Sequence, residues 1–290
     1  MEIAHPADVR SVLADPLFVV PPVPAAAAPG STVWLRASVG RFSNGDAHRR
    51  RRALGIAELE RLDVAGLRRD ASAHATTLLR GTGRKPFDLM ARIARPTTVV
   101  VLAGALGVPR IAAEDVATAA RAYHPQAAAD AKSDRAVARL VEACGGTPDE
   151  RTAARIGLLV QACDATAALA GNALLALLTG ARCGSAEEIV AAALRDDPPV
   201  RTTRRIAEAP ASVGDAAIAA GTMVVLDLTA ARDLELPFGA GPRRCPGRAQ
   251  ALALAAGIVD ACRGCRLAES EIDYVPLTNL RSPASLLLLR

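Results

Sequence analysis

Residues 238–247 read Phe-Gly-Ala-Gly-Pro-Arg-Arg-Cys-Pro-Gly, and they set one cysteine, Cys245, on a turn directly before an apolar helical stretch at residues 248–262. Gly239 and Gly241 permit tight backbone turns and close approach to a flat partner, which side chains would block. Pro246 and Gly247 open the helix, so its first amides favour the thiolate form of the sulfur. Arg243, two residues ahead of the cysteine, offers a planar fork for a carboxylate. These residue types suit a thiolate metal ligand beside a carboxylate-bearing group. A small buried hydrophobe in a Gly/Pro turn is the plain alternative for Cys245.

The rest of the chain bounds that reading. With 290 residues, 51% hydrophobic and 22% charged, it has the composition of an ordinary globular protein. Aromatic residues are only 2%, so a flat cofactor must pack mainly on Ala, Leu, Val and Thr. The net charge of +5 is spread along the chain apart from Arg49–Arg52, which argues against a nucleic-acid partner. No apolar run approaches the roughly 18 residues that span a bilayer, and no basic segment leads into an apolar one at the N-terminus. The expectation is a cytoplasmic protein with no membrane partner. The six cysteines are irregularly spaced, as in a reducing compartment, and the Cys262-x-x-Cys265 pair lacks the second pair of a zinc site.

Helical periodicity predicts helices at 7–14, 48–54, 64–80, 88–106, 112–123, 133–143, 149–179, 185–195 and 248–262. The Pro/Ala stretch 21–30 reads as an extended surface loop. Two or three short strands are expected between 200 and 228, and extended segments over 274–289. The fold class is mainly α with a small β region, in a single domain over residues 1–290.

The spacing Phe-x-x-Gly-x-Arg-x-Cys-x-Gly over Phe238, Gly241, Arg243, Cys245 and Gly247 resembles the heme-binding loop of the cytochrome P450 superfamily, the heme-thiolate proteins. The order of elements resembles that family along nearly the whole chain, as a compact, truncated, bacterial-type member. The resemblance implies a b-type heme whose iron takes an axial thiolate from Cys245, with Phe238, Gly239 and Gly247 shaping the loop beside it. His48 and Arg52 match a His-x-x-x-Arg helix that holds a heme propionate. Four residues apart, they share a helix face and can reach one carboxylate. Arg204, after Asp197-Pro198-Pro199-Val200, and Arg243 are the other propionate partners implied. In the long helix, Ala162-Cys163-Asp164-Ala165-Thr166 resembles the oxygen-binding segment: Ala162 makes room for dioxygen and Asp164 is the acid.

The chain also departs from the family. Ala165 replaces a threonine whose hydroxyl helps deliver protons, while Thr166 is kept but is expected to point elsewhere on the helix. Ala192 replaces the Glu of a Glu-x-x-Arg pair, leaving Arg195 either solvated or paired with another acid such as Glu235. The family's N-terminal sheet and first helix have no evident counterpart, and the stretch from Pro109 to the long helix is too short for its full set of lid helices, which implies a reduced roof. Three readings follow. One is a monooxygenase-type oxidoreductase acting on an apolar or carrier-bound metabolite of specialised metabolism, fed by a ferredoxin and reductase. The second is a heme-thiolate enzyme that uses peroxide or catalyses a rearrangement or dehydration. The third is a heme-free member that binds or assists a partner enzyme.

Overall fold

The computed structural model describes residues 1–23, 27–124 and 127–290. Part of the predicted 21–30 loop, residues 24–26, therefore lies outside the described residues, and the flanking Pro21–Val23 and Ala27–Ala28 carry no regular structure.

The elements run β1 (Glu2–Ile3), α1 (Pro6–Ala14), β2 (Phe18–Val19), α2 (Thr32–Ala37), α3 (Gly45–Leu59), α4 (Val64–Arg80), β3 (Phe87–Asp88), α5 (Arg95–Ala105), α6 (Ala113–Tyr123), α7 (Ala131–Ala143), α8 (Glu150–Leu178), α9 (Ala186–Asp196), β4 (Thr202–Ala207), β5 (Ala211–Val213), β6 (Ala216–Ile218), β7 (Met223–Asp227), α10 (Arg248–Cys262), β8 (Arg266–Leu267) and β9 (Leu287–Leu289). Mainly helical architecture with small sheets is what the periodicity predicted. The expected helix over 88–106 begins differently. The Asp88 carboxylate accepts the amides of Met90 (2.9 Å) and Leu286 (3.1 Å), so this segment starts as a strand edge. Residues Met90–Ala94 then form a wide π turn closed by the Arg95 amide on the Met90 carbonyl. Pro96 explains the widening, because it brings no N–H and its ring crowds the carbonyl one turn back.

The helix α8 organises the molecule. Asp149 caps it by accepting the Thr152 amide at 2.8 Å, and no proline interrupts its 29 residues. Its first half packs through Ile156, Leu159, Val160 and Cys163 into one apolar cluster, its second through Ala167, Leu169, Ala170 and Leu174 into another. By length and composition alone α8 could cross a membrane, contrary to the reading that no segment could. In the fold, 67% of its most apolar window is buried against other elements.

Two close approaches set the position of α10. At Gly257 a Cβ would lie 2.4 Å from the Arg68 carbonyl oxygen and 2.8 Å from the Ala71 Cβ, so α10 and α4 cross almost backbone to backbone. Arg68 fastens the pair by reaching Asp260 at 2.9 Å. The four-stranded sheet has the order β1-β7-β4-β2, with β1 parallel to β7 and the other pairs antiparallel. The first residues of the chain thus enter a sheet built mainly from residues 202–227, where sequence gave no strand signal. In the same region the expected two or three strands are four, β5 and β6 forming a separate hairpin. The pairings Thr203 with Leu226 and Arg205 with Val224 put Thr203, Arg205 and Ala207 on the sheet face that carries the buried Val224 and Leu226.

Candidate functional site

Between β7 and α10 the chain turns twice. Leu236–Phe238 forms a short 3-10 turn that ends at Gly239 with φ of +78°, and Gly241 follows with φ of +63°. Both positions lie in the left-handed region that glycine alone adopts cheaply. Gly241 is doubly required, since a Cβ there would meet the Leu13 carbonyl oxygen at 2.7 Å and the Ala14 Cα at 2.9 Å. The Cys245 amide closes the loop by donating to the Phe238 carbonyl at 2.7 Å. Phe238 is itself capped by the Arg248 guanidinium, 5.5 Å from its ring.

The Cys245 thiol is pushed up, not down, from its ordinary pKa. Desolvation by the surrounding cavity walls, onto whose space the residue is itself exposed, is the largest cause, opposed by the Gly247 amide hydrogen bond and by Arg52, Arg41 and Arg244. This corrects the expectation that the helix N-terminus alone would favour thiolate: the amide and the cations are in place, but without a cation on the sulfur, desolvation outweighs them. A metal ion bound there would supply the missing charge.

Cys245 lies on a cavity of about 680 Å3, a size typical of cofactor and small-molecule sites. One wall is a stripe of α8: Leu158, Gln161, Ala162, Ala165, Thr166 and Leu169, spaced three and four apart on one helix face. Ala162 and Ala165 leave room along it. Thr166, expected to point elsewhere, lines the same cavity and is buried. Asp164 is the exception. It does not line the cavity but turns to α5, where its carboxylate accepts from Arg95 at 2.8 Å. The helices α6 and α7 contribute no described lining residue, in keeping with a reduced roof.

The charged wall is entirely basic among the described residues. Arg36, Arg41, Arg51, Arg52, Arg204, Arg205 and Arg243 line the cavity, and no Asp or Glu does among the described residues. Arg51 is answered from outside by Glu150 at 2.8 Å. Arg52 donates to the Arg244 carbonyl at 2.6 Å, tying α3 to the cysteine loop. Arg243 donates to the Ser43 carbonyl at 2.6 Å and to Asn44 Oδ1 at 2.7 Å. His48 is buried among them, and desolvation, followed by the charges of Arg243, Arg52 and Arg205, holds its pKa down at about 4. The imidazole is therefore neutral at pH 7.

Arg205 was not singled out from sequence, which nominated its neighbour Arg204. Both line the cavity, and Arg205 is the buried one, 6% exposed. Its Nη1 donates to the Arg204 carbonyl at 2.8 Å and to Thr203 Oγ1 at 3.2 Å, while its buried Nε has no partner among the described residues. Burial, then Arg243 and Arg41, lower its pKa to about 10. A doublet of arginines in a strand signals that one must face inward, yet only the register with β7 tells which.

The residues present fit a flat, two-carboxylate group with a thiolate ligand. Arg36, Arg41, Arg52, Arg205 and Arg243 have no acid partner among the described residues, and Arg36 and Arg205 each keep an orphaned buried Nε, so the cluster suits an anionic guest. The family's missing Glu is resolved simply: Arg195 is exposed, so no buried guanidinium is left unpaired there, and Glu235 instead holds Arg244 and Arg248. Cys262 and Cys265 share a thiol hydrogen bond at the far end of α10, and no group of three or more His, Cys, Asp or Glu side chains that could hold a metal occurs among the described residues.

No protein-family model and no curated protein matches the chain. Solved structures do. P450BioI, solved in complex with hexadec-9Z-enoic acid ligated acyl carrier protein, is 20% identical with a TM-score of 0.80, covering 100% of this chain and 91% of its own. The P450 RauA, complexed with a biosynthetic intermediate of aurachin RE, is 20% identical with a TM-score of 0.76, covering 99% and 90%. CYP154A1 from Streptomyces coelicolor A3(2) is 19% identical with a TM-score of 0.75, covering 99% and 91%. Superposition of nearly every residue on these structures shows that the chain has a cytochrome P450-like fold.

Proposed function

We propose that the protein is a heme-thiolate oxidoreductase of monooxygenase type, built on all 290 residues as one domain and acting in the cytoplasm on an apolar metabolite, free or carrier-bound, of specialised metabolism. The observation that carries this is Cys245 on the wall of an arginine-rich cavity that no Asp or Glu lines among the described residues, with the α8 stripe along the same cavity. Bound there, a b-type heme would supply oxidation of a C–H bond, with thiolate ligation favouring O–O cleavage. Cys245 would supply the thiolate that ligates its iron. Arg52, Arg205 and Arg243, with Arg204 beside them, would hold its two carboxylates, and neutral His48 would donate a hydrogen bond to one of them. Phe238, Gly239 and Gly247 keep the loop flat and close. Ala162 and Ala165 leave space on the α8 side, and Leu158, Leu169, Val39 and Leu102 exclude water around an apolar substrate. Electrons come from a separate ferredoxin and reductase. P450BioI, seen with a loaded acyl carrier protein, supports a carrier-bound substrate as one form.

Ala165 favours a second reading. With a methyl group at this position and Asp164 engaged with Arg95, Thr166 offers the one hydroxyl that α8 brings to the described cavity wall. Peroxide-driven oxidation, or a rearrangement or dehydration, needs less proton delivery. Purified protein expressed with ample heme should give a red-shifted Soret band when reduced under carbon monoxide, and Cys245→Ala should lose it. Protein that takes up no heme would end both readings in favour of a binding or auxiliary role. Turnover with a ferredoxin system against peroxide alone separates the first two.

A further inference from the structure

The cavity wall carries more positive charge than the proposed cofactor balances. In a ferric heme-thiolate unit the thiolate cancels the charge of the iron porphyrin, leaving two carboxylates. Facing them are Arg36, Arg41, Arg52, Arg205 and Arg243, none in an ion pair among the described residues. Four of these have at least one N–H engaged with the protein. Arg36 Nη2 holds the carbonyls of Ala122, His124 (2.6 Å) and Ala127 (2.8 Å) at the end of α6, and Arg52, Arg205 and Arg243 donate to the loop and strand carbonyls described above.

Arg41 differs. It sits on the 3-10 turn Gly40–Phe42, exposed, on the cavity wall. Its guanidinium lies 5.6 Å from the Phe42 ring centroid and 5.8 Å from that of Tyr123, and the two rings brace each other edge to face at 5.0 Å. Ring faces hold a guanidinium without using its in-plane N–H donors. Arg41 donates no hydrogen bond to any described residue, so it is fixed in place with its whole fork available.

We infer that the cavity selects an apolar substrate bearing an anionic head group, a carboxylate or a phosphate, and that Arg41 receives that group. This rests on the heme-thiolate reading, which assigns Arg52, Arg205 and Arg243 to the cofactor. The apolar lining at Val39, Leu102 and Leu158 takes the chain behind the head group.

Calorimetric titration of the purified protein with dodecanoate, dodecyl phosphate and dodecanol tests this. At least one of the two anions should bind about tenfold or more tightly than the alcohol, the worth of one charged hydrogen-bonded contact. Preference for dodecanoate points to a free acid, and preference for dodecyl phosphate to a phosphate such as that of a carrier arm. Arg41→Gln should bring the anions to within about threefold of the alcohol while heme content per protein is unchanged. Arg49→Gln, which alters an exposed cation paired with Asp46 outside the cavity, should keep the discrimination. Equal affinities in the unmodified protein, discrimination that survives Arg41→Gln, or loss of heme in that variant would each overturn the inference. Discrimination that depends on Arg41 in protein that never takes up heme would leave the inference standing and remove the functional reading instead.

Discussion

Acid should destabilise the heme-free protein through His48, and the size of the effect follows from its surroundings. The imidazole is 9% exposed, with Arg52, Arg205 and Arg243 close enough to oppose a further positive charge, and its pKa falls from 6.5 to about 4. The unfolded chain therefore takes up a proton at this histidine before the folded one does. Stability present above pH 6.5 is lost as pH falls toward 4, by about 3 kcal/mol over the whole window and about 2 kcal/mol between pH 7 and pH 5. His48→Gln keeps a neutral polar side chain and removes the titration. Urea unfolding of both proteins at pH 7 and pH 5 reads the difference. His74 and His124 are also held below their ordinary pKa, chiefly by burial, and contribute equally to both proteins. Glu150, held at about 2 by Arg50 and Arg51, titrates below the window. The unmodified protein should lose about 2 kcal/mol more than His48→Gln. Equal losses within about 0.5 kcal/mol would refute the placement of His48 inside an uncompensated cationic cluster. Added heme should shrink the effect, since a carboxylate beside the ring raises the imidazole pKa back toward its ordinary value.

Two further substitutions probe the scaffold and the cluster. Gly257→Ala places a methyl 2.4 Å from the Arg68 carbonyl oxygen and must push α10 off α4, so urea unfolding should show a loss of about 1–3 kcal/mol despite the better helix propensity of alanine; an unchanged midpoint would contradict the close crossing. Arg205→Met removes a buried cation with an orphaned Nε, and in heme-free protein it should be neutral or stabilising by about 1–3 kcal/mol while heme affinity falls. Destabilisation together with unchanged heme affinity would show that Arg205 serves the sheet rather than the cavity.

The helices were legible because each carries its own period and punctuation: 64–80 and 248–262 coincide with α4 and α10 to the residue. What escaped depends on partners far away in sequence. Phe87–Asp88 is a strand because it pairs with Leu287 and Leu288, and Glu2–Ile3 because it pairs with Val225 and Leu226; two residues cannot display alternation by themselves. The site divides in the same way. The cysteine loop is encoded in consecutive residues and reads directly, as do His48 and Arg52 one helical turn apart. Asp164 was read as the acid of the oxygen-binding segment; where its carboxylate points depends on Arg95 of α5, which donates to it on the side of α8 away from the cavity, and no motif encodes that partner. Arg205 and Arg204 could not be told apart because strand phase is a property of the sheet. Arg41 carries no motif at all, and only the packing of Phe42 on Tyr123 gives it a place.

The joining of the N-terminus to the cysteine loop has a consequence for biosynthesis. Asp233, which ties the loop's entry by accepting the amides of Glu235 and Leu236, also pairs with Arg10 of α1, and Gly241 lies against the end of the same helix. The residues of β1 and α1 must therefore wait for partners more than two hundred positions behind them. Such distant closure is slow, and it leaves β1 and α1 without their native cover until those partners are made. The loop that presents Cys245 therefore takes its final shape only when α1 and residues 233–241 meet, so its geometry is a property of long-range closure and not of the loop sequence alone.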